Sequence, residues 1–235
     1  MMSLPTLVDL HKIAAYDRYR YNVKQTQRMY GELCGDHIYE VLHDFIADFF
    51  LNVCEGAKLV MFGNGGSAAD CDHIVGEFRN RFWYKRKAVN AISLSDSIAT
   101  VTAIGNDFCF EDIFSRQLEG ILEPFDSVIA LSTSGRSKNV ISAGKLLAKD
   151  FPDCNSLIIT GLMDEDETVE GFKYHIQIPI EYNKYTVARI QEASMFLLHT
   201  LCGLFDSICE KAVDYAIGEI AAGISTIENL MGKRE

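Results

Sequence analysis

The spacing of apolar residues predicts that the chain begins with two helices. Residues 7–33 form a polar stretch rich in Tyr, Arg and Lys with helical character. Residues 36–53 place apolar side chains at the i, i+3, i+4, i+7 spacing of a helix with one buried face. The positions on that face are Ile38, Val41, Leu42, Phe45, Ile46 and Phe49. The second helix is therefore expected to pack against the core of the protein.

From residue 58 onward the pattern changes to short apolar runs rich in β-branched residues. These runs occupy residues 58–62, 89–94, 127–131, 156–160 and 175–180. Each of the first four is followed by a polar or small-residue turn and then by a stretch with helical character. Strands that are apolar on both faces, separated by helices, are typical of a parallel sheet covered on both sides. We therefore predict an α/β fold, a parallel-sheet three-layer αβα sandwich with N-terminal helices and a long C-terminal helical segment.

The C-terminal part is predicted to contain two helices. Residues 184–209 keep a 3-4-3-4 spacing of mostly apolar positions, namely Val187, Ile190, Ser194, Leu197, Leu201, Leu204 and Ile208. Because further apolar residues fill much of its other side, we expect this helix to be buried partly against another subunit. A weaker helix over 211–231 is expected to follow. The predicted organisation is an N-terminal helical segment (1–34), a core domain (35–209) and a C-terminal helical extension (210–235).

Composition and charge narrow the function classes. The 235 residues are 48% hydrophobic, which is enough for a sizeable core, and the formal net charge of −11 argues against nucleic-acid binding. The basic run at 79–87 is the one exception, and we interpret it as a solvated helix end and loop. No stretch approaches ~18 uninterrupted apolar residues, so no membrane span is expected. The N-terminus shows no signal-peptide pattern.

Seven scattered cysteines contain no C-x-x-C pair. This pattern indicates reduced thiols in a reducing compartment, and it argues against a cysteine-based zinc site. The sequence therefore predicts a cytoplasmic protein.

A hydroxyl-rich loop follows the third predicted strand. Ser132, Thr133, Ser134 and Ser137 surround Gly135, just before a predicted helix. In parallel sheets ligands bind at the carboxyl ends of the strands. Four hydroxyls, backbone N–H groups and a helix N-terminus suit one phosphate monoester, whereas an ordinary N-cap needs a single hydroxyl. We therefore favour a phosphate site over a simple cap.

The loop GNGGS at 63–67 follows the first predicted strand. Gly63, Gly65 and Ala68 match a dinucleotide fingerprint loosely. The acidic residue that this fingerprint expects ~20 residues further on is missing, because the first candidate, Asp96, lies too far along the chain. Two small loops on successive strand ends fit a sugar phosphate better than a dinucleotide.

The helix that GNGGS opens carries His73, Glu77 and Arg81 at i, i+4 and i+8. This spacing is expected to put all three on one helix face. The face is either a solvated set of salt bridges or a metal ligand, a general base and an anion clamp. Further along, Gln191 and His199 stand on the apolar C-terminal helix, where a single His is usually a satisfied core residue.

Four motifs together resemble a known family: GNGGSAADCDHIVGEF, AIGNDFCFEDIFSRQLE, ALSTSGRSKNV and ARIQEASMFLLH. In order and spacing they are similar to the sedoheptulose 7-phosphate isomerases, or phosphoheptose isomerases, of the SIS (sugar isomerase) superfamily. The resemblance runs from about residue 35 to residue 205. It implies a flavodoxin-like SIS fold and conversion of sedoheptulose 7-phosphate to D-glycero-D-manno-heptose 7-phosphate through an enediol, for lipopolysaccharide or capsule.

The resemblance also implies a cofactor, partners and site residues. It implies one zinc ion per subunit and a cytoplasmic homotetramer with shared active sites. A nucleic-acid or membrane partner is not expected, because of the net charge and the lack of a long apolar run. The family's metal positions match His73, Glu77, Gln191 and His199, of which Glu77 and His199 would be catalytic. Its substrate positions match Asn64, Gly65, Gly66, Arg81, Asn106, Asp107, Ser132, Thr133, Ser134, Ser137 and Gln191.

Two positions depart from the family pattern, and two alternative functions stay open beside it. Ser194 stands where many members carry His, and Arg136 stands where Asn is common. Gln191 and His199 lie about 12 Å apart along one helix, so Gln191 could contact mainly the substrate. A non-catalytic SIS-fold adaptor, binding a phosphosugar or a replication-initiation protein, would lack counterparts of Glu77 and His199. A dinucleotide-dependent oxidoreductase is the second alternative.

Overall fold

The computed structural model describes residues 4–163, 169–181, 183 and 186–221. A five-stranded parallel sheet forms the centre, with the strand order β2-β1-β3-β4-β5. Its strands are β1 (Leu59–Gly63), β2 (Ala91–Ser93), β3 (Ser127–Ser132), β4 (Asn155–Leu162) and β5 (Tyr174–Glu181). This is the doubly wound order of flavodoxin-like folds. All five predicted strands and the predicted α/β class are confirmed.

Helices cover both faces of this sheet. They are α1 (Leu4–Glu32), α2 (Asp36–Cys54), α3 (Gly66–Arg79), α4 (Ile98–Asp107), α5 (Ser115–Ile121), α6 (Lys138–Asp150) and α7 (Val187–Ala221), with a 3₁₀ turn at Phe110–Asp112. One hydrophobic core joins α1, α2, α3 and α7 to the sheet, and a second core joins α4, α5 and α6 to its other face. The three-layer sandwich follows directly from these two cores.

Alternate residues of β1 point into the two cores. Leu59 and Met61 pack with α2, α3 and α7, whereas Val60 and Phe62 pack with α5 and α6. All four side chains are fully buried. A strand buried on both faces needs apolar residues at every position, and this is why the strands appear as continuous apolar runs in the sequence.

The helix predicted after the fourth strand is not found among the described residues of that connection, 163 and 169–173. This prediction was wrong for that part of the chain. The turn at Gly171, where φ is +90°, lies so close to α6 that a Cβ atom there would be 1.7 Å from the carbonyl oxygen of Gly144. At Gly171 the loop backbone itself therefore packs on α6.

At the C-terminus the structure has one helix where two were predicted. The predicted break at residue 210 was wrong, because α7 continues through it to Ala221; residues 222–231 of the predicted last helix lie outside the described residues. A glycine such as Gly218 costs a helix only about 1 kcal/mol, which is too little to end it. The predicted domain boundary between residues 209 and 210 falls inside α7.

Contacts within one chain bury most of the apolar surface of α7. It packs against α1, α2, α3, β4 and β5, and Leu197, Leu201 and Phe205 are buried. The expected burial against another subunit is therefore not needed to explain these residues, although Phe196 remains 46% exposed. None of the helices in the described part of the chain has the length and apolar character needed to cross a membrane.

Candidate active site

The two predicted ligand loops lie side by side at the carboxyl edge of the sheet. Strands β1 and β3 are neighbours, and Gly63 pairs with Leu131 at their ends. Gly63 tolerates no side chain, since a Cβ atom there would lie 2.8 Å from Cβ of Ser67 and 3.0 Å from the Leu131 carbonyl oxygen. The loop that follows β1 and the hydroxyl-rich loop that follows β3 therefore border one cleft.

A pair of amide side chains joins these loops. Asn64 Nδ2 donates to Asn139 Oδ1 (2.9 Å), and Asn139 Nδ2 donates to Asn64 Oδ1 (2.8 Å). Asn139 is only 2% exposed. Sequence reasoning identified Asn64 and missed Asn139. The available signal was an Asn inside the first turn of a helix, a position where its low helix propensity calls for a specific hydrogen bond.

The hydroxyl-rich loop has the predicted form. Ser137 is the N-cap residue of α6, yet its side chain makes no capping hydrogen bond; its hydroxyl lies 3.4 Å from that of Ser132. Gly135 adopts φ +67° and donates its N–H to the Ser132 carbonyl oxygen (3.1 Å). Two hydroxyls thus meet in front of a helix N-terminus, an arrangement that favours an anion.

Strand β4 and its extension hold this loop from the other side. Thr133 accepts the N–H of Gly161 through its carbonyl oxygen (3.1 Å), and Ser134 Oγ accepts the N–H of Arg136 (3.1 Å). Met163 covers Gly135, where a Cβ atom would lie 2.3 Å from its sulfur. These contacts tie the loop to the end of β4.

His73, Glu77 and His199 converge between α3 and α7. The Nε2 atoms of the two histidines are 3.3 Å apart, and Oε1 of Glu77 is 3.3 Å from Nε2 of His73. One ligand atom from each residue falls within 4.8 Å of the others. Burial and the neighbouring His73 lower the pKa of His199, against a smaller opposing effect of Glu77. A neutral imidazole is the form that binds a metal ion.

The segment 80–87 packs over His199. The ring of Phe82 stacks on His199 at 5.5 Å and 12°. Asp206 of α7 holds this segment, since its Oδ2 accepts the N–H groups of Trp83 (2.6 Å) and Tyr84 (2.8 Å). Its Oδ1 binds Arg86 Nε at 2.6 Å, and both side chains are almost fully buried. The interpretation of this basic run as a solvated loop was therefore wrong for Arg86.

The prediction that His73, Glu77 and Arg81 share one helix face was wrong for Arg81. Helix α3 ends at Arg79, and at Asn80 the backbone leaves helical geometry (φ −94°, ψ −102°). The hydrogen bonds to Asp206 turn the chain toward α7 at this point. Arg81 lies on the following loop with its side chain exposed.

Gln191 lies against the start of α3. A Cβ atom on Gly66 would be 2.3 Å from Nε2 of Gln191, so the amide packs directly on the glycine backbone. Gly66 precedes His73 by about two helical turns. The structure thus places Gln191 beside GNGGS, and His199 two turns further along α7 beside His73.

Asn106 and Asp107 are set apart from these groups. They end α4, their side chains are exposed, and Asn106 Nδ2 donates to Asp107 Oδ1 (2.8 Å). Within the described part of the chain, neither makes a hydrogen bond to any predicted site residue outside this pair. Gly65, with φ +57°, is the N-cap of α3 and is exposed at the cleft.

Comparison with known proteins places this arrangement in a family. The SIS domain family matches residues 42–149. A phosphoheptose isomerase from Geotalea daltonii is 41% identical over 152 residues, covering 64% of this chain and 75% of that protein. One from Trichlorobacter lovleyi is 38% identical over 180 residues, covering 77% of this chain and 86% of that protein.

Solved structures agree with these sequence relatives. A phosphoheptose isomerase from Neisseria gonorrhoeae superposes with a TM-score of 0.69 at 26% identity, covering 82% of this chain and 99% of that one. One from Francisella tularensis has a TM-score of 0.67 at 25% identity, covering 85% of this chain and 98% of that one. Because the sequence matches extend over most of each relative, the chain belongs to the phosphoheptose isomerase family.

Proposed function

We propose that this chain is an aldose–ketose isomerase that converts sedoheptulose 7-phosphate to D-glycero-D-manno-heptose 7-phosphate. The observation that carries the proposal is the convergence of His73, Glu77 and His199 beside the cleft, in a chain of this family. The reaction moves one proton from C1 to C2 and one from O1 to O2 through an enediol. It therefore needs a carbon base and a group that exchanges protons with the sugar oxygens.

Two of these residues suit the proton transfers. The carboxylate of Glu77 is the proposed base that takes the proton from C1 and returns it to C2. His199 is the proposed proton donor to the oxygens and the partner for ring opening. Its ring stacks on Phe82, which restricts the plane of the imidazole.

The remaining predicted residues suit substrate binding. Ser132, Thr133, Ser134 and Ser137 would bind the phosphate group at the N-terminus of α6. Asn64, Gly65, Gly66 and Gln191 would contact the sugar from the neighbouring loop and helix. Arg81, on its exposed loop, is the proposed contact for a further anionic or hydroxyl group.

His73, Glu77 and His199 fit a zinc ion by donor type. Two imidazole nitrogens and a carboxylate, close enough for one ion, form a ligand set that is typical of catalytic zinc. Bound zinc would supply Lewis-acid stabilisation of negative charge on the sugar oxygens. We propose one zinc per subunit, with Gln191 as a candidate fourth ligand. Zinc content of Gln191→Ala decides this, because unchanged content would leave Gln191 as a substrate contact only.

Turnover of sedoheptulose 7-phosphate, followed by detection of the aldose product, tests the proposed activity. Glu77→Gln is expected to lower kcat by about 10²–10⁴-fold, because the amide cannot accept the proton. Zinc analysis of the same samples separates loss of the base from loss of the metal. Glu119→Gln, an exposed carboxylate on α5, is the matched control and should keep full activity.

Two results would contradict this assignment. An active Glu77→Gln variant would remove Glu77 as the base. A zinc-loaded protein without turnover would favour the phosphosugar-binding adaptor instead.

We further propose a homotetramer in which neighbouring subunits share active sites. No side chain of helix α4 is fully buried within the subunit, although Val101 and Ile104 pack against the core, and Asn106, Asp107 and Phe108 at its end are exposed. Light scattering should give four times the 26.3 kDa chain mass. In a shared site, co-expressed Glu77→Gln and Asp107→Ala chains should recover activity that each variant lacks alone. An active monomer, or no recovery, would contradict the shared site.

The cellular setting is proposed on separate grounds. All seven cysteines are free thiols, which supports a reducing, cytoplasmic location. The product would then supply heptose for lipopolysaccharide or capsule. Loss of heptose from these glycans on gene deletion, restored by the intact gene but not by Glu77→Gln, would test this role.

A further inference from the structure

We propose that Asn139 is a positioning residue that fixes the orientation of Asn64 toward the sugar, and so couples the phosphate loop to the sugar loop. This inference rests on the proposed isomerase function. Asn139 itself is 2% exposed and is not expected to touch the substrate. Its effect is transmitted through the side chain of Asn64.

A backbone N–H group determines which way the amide groups of Asn139 and Asn64 are turned. The N–H of Val140 donates to Asn139 Oδ1 at 3.0 Å. This bond identifies the oxygen end of the Asn139 amide, because the alternative would place two donors in contact. Asn64 must then present its Nδ2 to Asn139 Oδ1 and its Oδ1 to Asn139 Nδ2, as observed at 2.9 and 2.8 Å.

Asn64 keeps capacity for a ligand after this pairing. An amide has two N–H donors and two acceptor lone pairs, and the pair with Asn139 uses one of each. The side chain of Asn64 is partly exposed, so one N–H and one lone pair can face a sugar hydroxyl. Without Asn139 the same amide could rotate and exchange donor for acceptor.

The pair also spans the two halves of the cleft. Asn139 lies in the first turn of α6, two residues after the N-cap Ser137, whereas Asn64 precedes α3. A shift of the α6 N-terminus would therefore move Asn64 with it. The seating of the phosphate group and the alignment of the sugar are thus linked by two hydrogen bonds.

The test measures kcat and KM for sedoheptulose 7-phosphate. Asn139→Ala is expected to lower kcat by about 10–100-fold, with KM changed less than about threefold, because the phosphate anchor remains. Asn64→Ala should lose at least as much activity as Asn139→Ala, and the double variant should lose no more than Asn64→Ala, since Asn139 acts through Asn64. Additive losses, or full activity of Asn139→Ala, would overturn the inference.

The matched control removes another buried amide. Asn155, also 2% exposed, donates to the Phe45 carbonyl oxygen and to Ser127 Oγ at the opposite edge of the sheet. Asn155→Ala should lose stability without losing kcat. If it loses kcat to the same extent as Asn139→Ala, the role of Asn139 is structural and the inference fails.

Asn139→Asp gives a second readout and keeps the test decisive if Asn139→Ala does not fold. Its carboxyl group donates to Asn64 Oδ1 only when protonated, and burial favours the protonated form. The activity of this variant relative to the wild-type protein should rise as the pH falls through the pKa of the introduced carboxyl group. A ratio independent of pH would count against the pairing.

One measurement does not depend on activity. In a crystal structure of Asn139→Ala, or of Asn139→Asp at pH 8, the Asn64 amide is expected to rotate from its present orientation. An unmoved Asn64 would overturn the inference even if the protein proves to have another substrate. If the wild-type protein shows no turnover but the Asn64 amide is rotated in the Asn139 variants, only the proposed function is refuted.

Discussion

Gly66 of GNGGS packs directly against Gln191 of α7. The amide of Gln191 occupies the position that any side chain at Gly66 would need. Gly66 lies inside α3, so its conformation does not require glycine; the neighbouring amide does. Glycine is therefore required at these two positions for different reasons. Gly65 adopts a positive φ, whereas Gly66 leaves space for the side chain of Gln191.

Gly66→Ala tests this contact. The added methyl group should displace the Gln191 side chain and lower kcat/KM by about 10–100-fold, while Ala in a helix tends to raise stability. Gly76→Ala on the same helix meets no atom within 4 Å and is the control. Steady-state kinetics with thermal unfolding of both variants would check this. Full activity of Gly66→Ala would mean that the position of Gln191 is unimportant.

Site residues were predicted where their partners are close in the sequence and missed where their partners are distant. His73 and Glu77 are spaced four residues apart, so local helix geometry alone predicts their proximity. Asn139 and Arg86 act through partners that are distant in the chain, Asn64 and Asp206. No local pattern shows such a partner, and both residues were therefore overlooked or misread.

Among the elements, the segment 80–87 depends on one side chain of α7. Asp206 binds two backbone N–H groups and Arg86, and Arg86 Nη1 also donates to the carbonyl oxygen of Phe78 (2.9 Å) at the end of α3. The guanidinium lies 5.0 Å from the ring of Phe205. This buried charge network explains why α3 ends at Arg79 and why Phe82 reaches His199.

Asp206→Ala is expected to be among the most destabilising single changes. It leaves Arg86 buried without its counter-charge, which costs about 3–5 kcal/mol of unfolding free energy. Glu119→Ala removes an exposed partner of Arg116 and should cost about 0–1 kcal/mol. Denaturant unfolding of both variants would measure the difference. Similar small losses for the two would show that the buried pair does not anchor this segment.

The helices and strands that were predicted correctly are those whose structure depends on the pattern of apolar residues within them. Buried strands such as β3 need apolar residues at every position, so their runs are visible in the sequence. The connection after β4 was misread, because its packing on Gly144 of α6 is a tertiary contact. The continuity of α7 was missed, because the apolar pattern was divided at residue 210 whereas the helix runs on to Ala221.

For the whole molecule, burial divides the seven cysteines into reactive and protected thiols. Burial raises the pKa of Cys154, Cys202 and Cys209 to about 12. Cys71 is also buried, with its pKa raised well above the usual range. Cys34 and Cys109 are exposed. The folded chain therefore keeps most of its thiols protonated and out of solvent.

Thiol labelling at pH 8 should report this division. Cys34 and Cys109 are expected to react fast in the folded protein, and the partly exposed Cys54 more slowly, because only an accessible thiolate is nucleophilic. In denaturant all seven should react. Mass spectrometry of the labelled peptides identifies the sites. Fast labelling of Cys154 or Cys202 in native conditions would show that the core opens easily.

The long helix α7 carries Gln191, His199 and Asp206 on one continuous element. Each added or deleted residue in a helix rotates everything beyond it by about 100°. One insertion between Gln191 and His199 would therefore aim His199 away from His73, or Gln191 away from Gly66. Evolution can vary the residue types in this interval, but any change in its length would disrupt the site. Among active relatives, the number of residues from Gln191 to Asp206 should accordingly vary less than their identity.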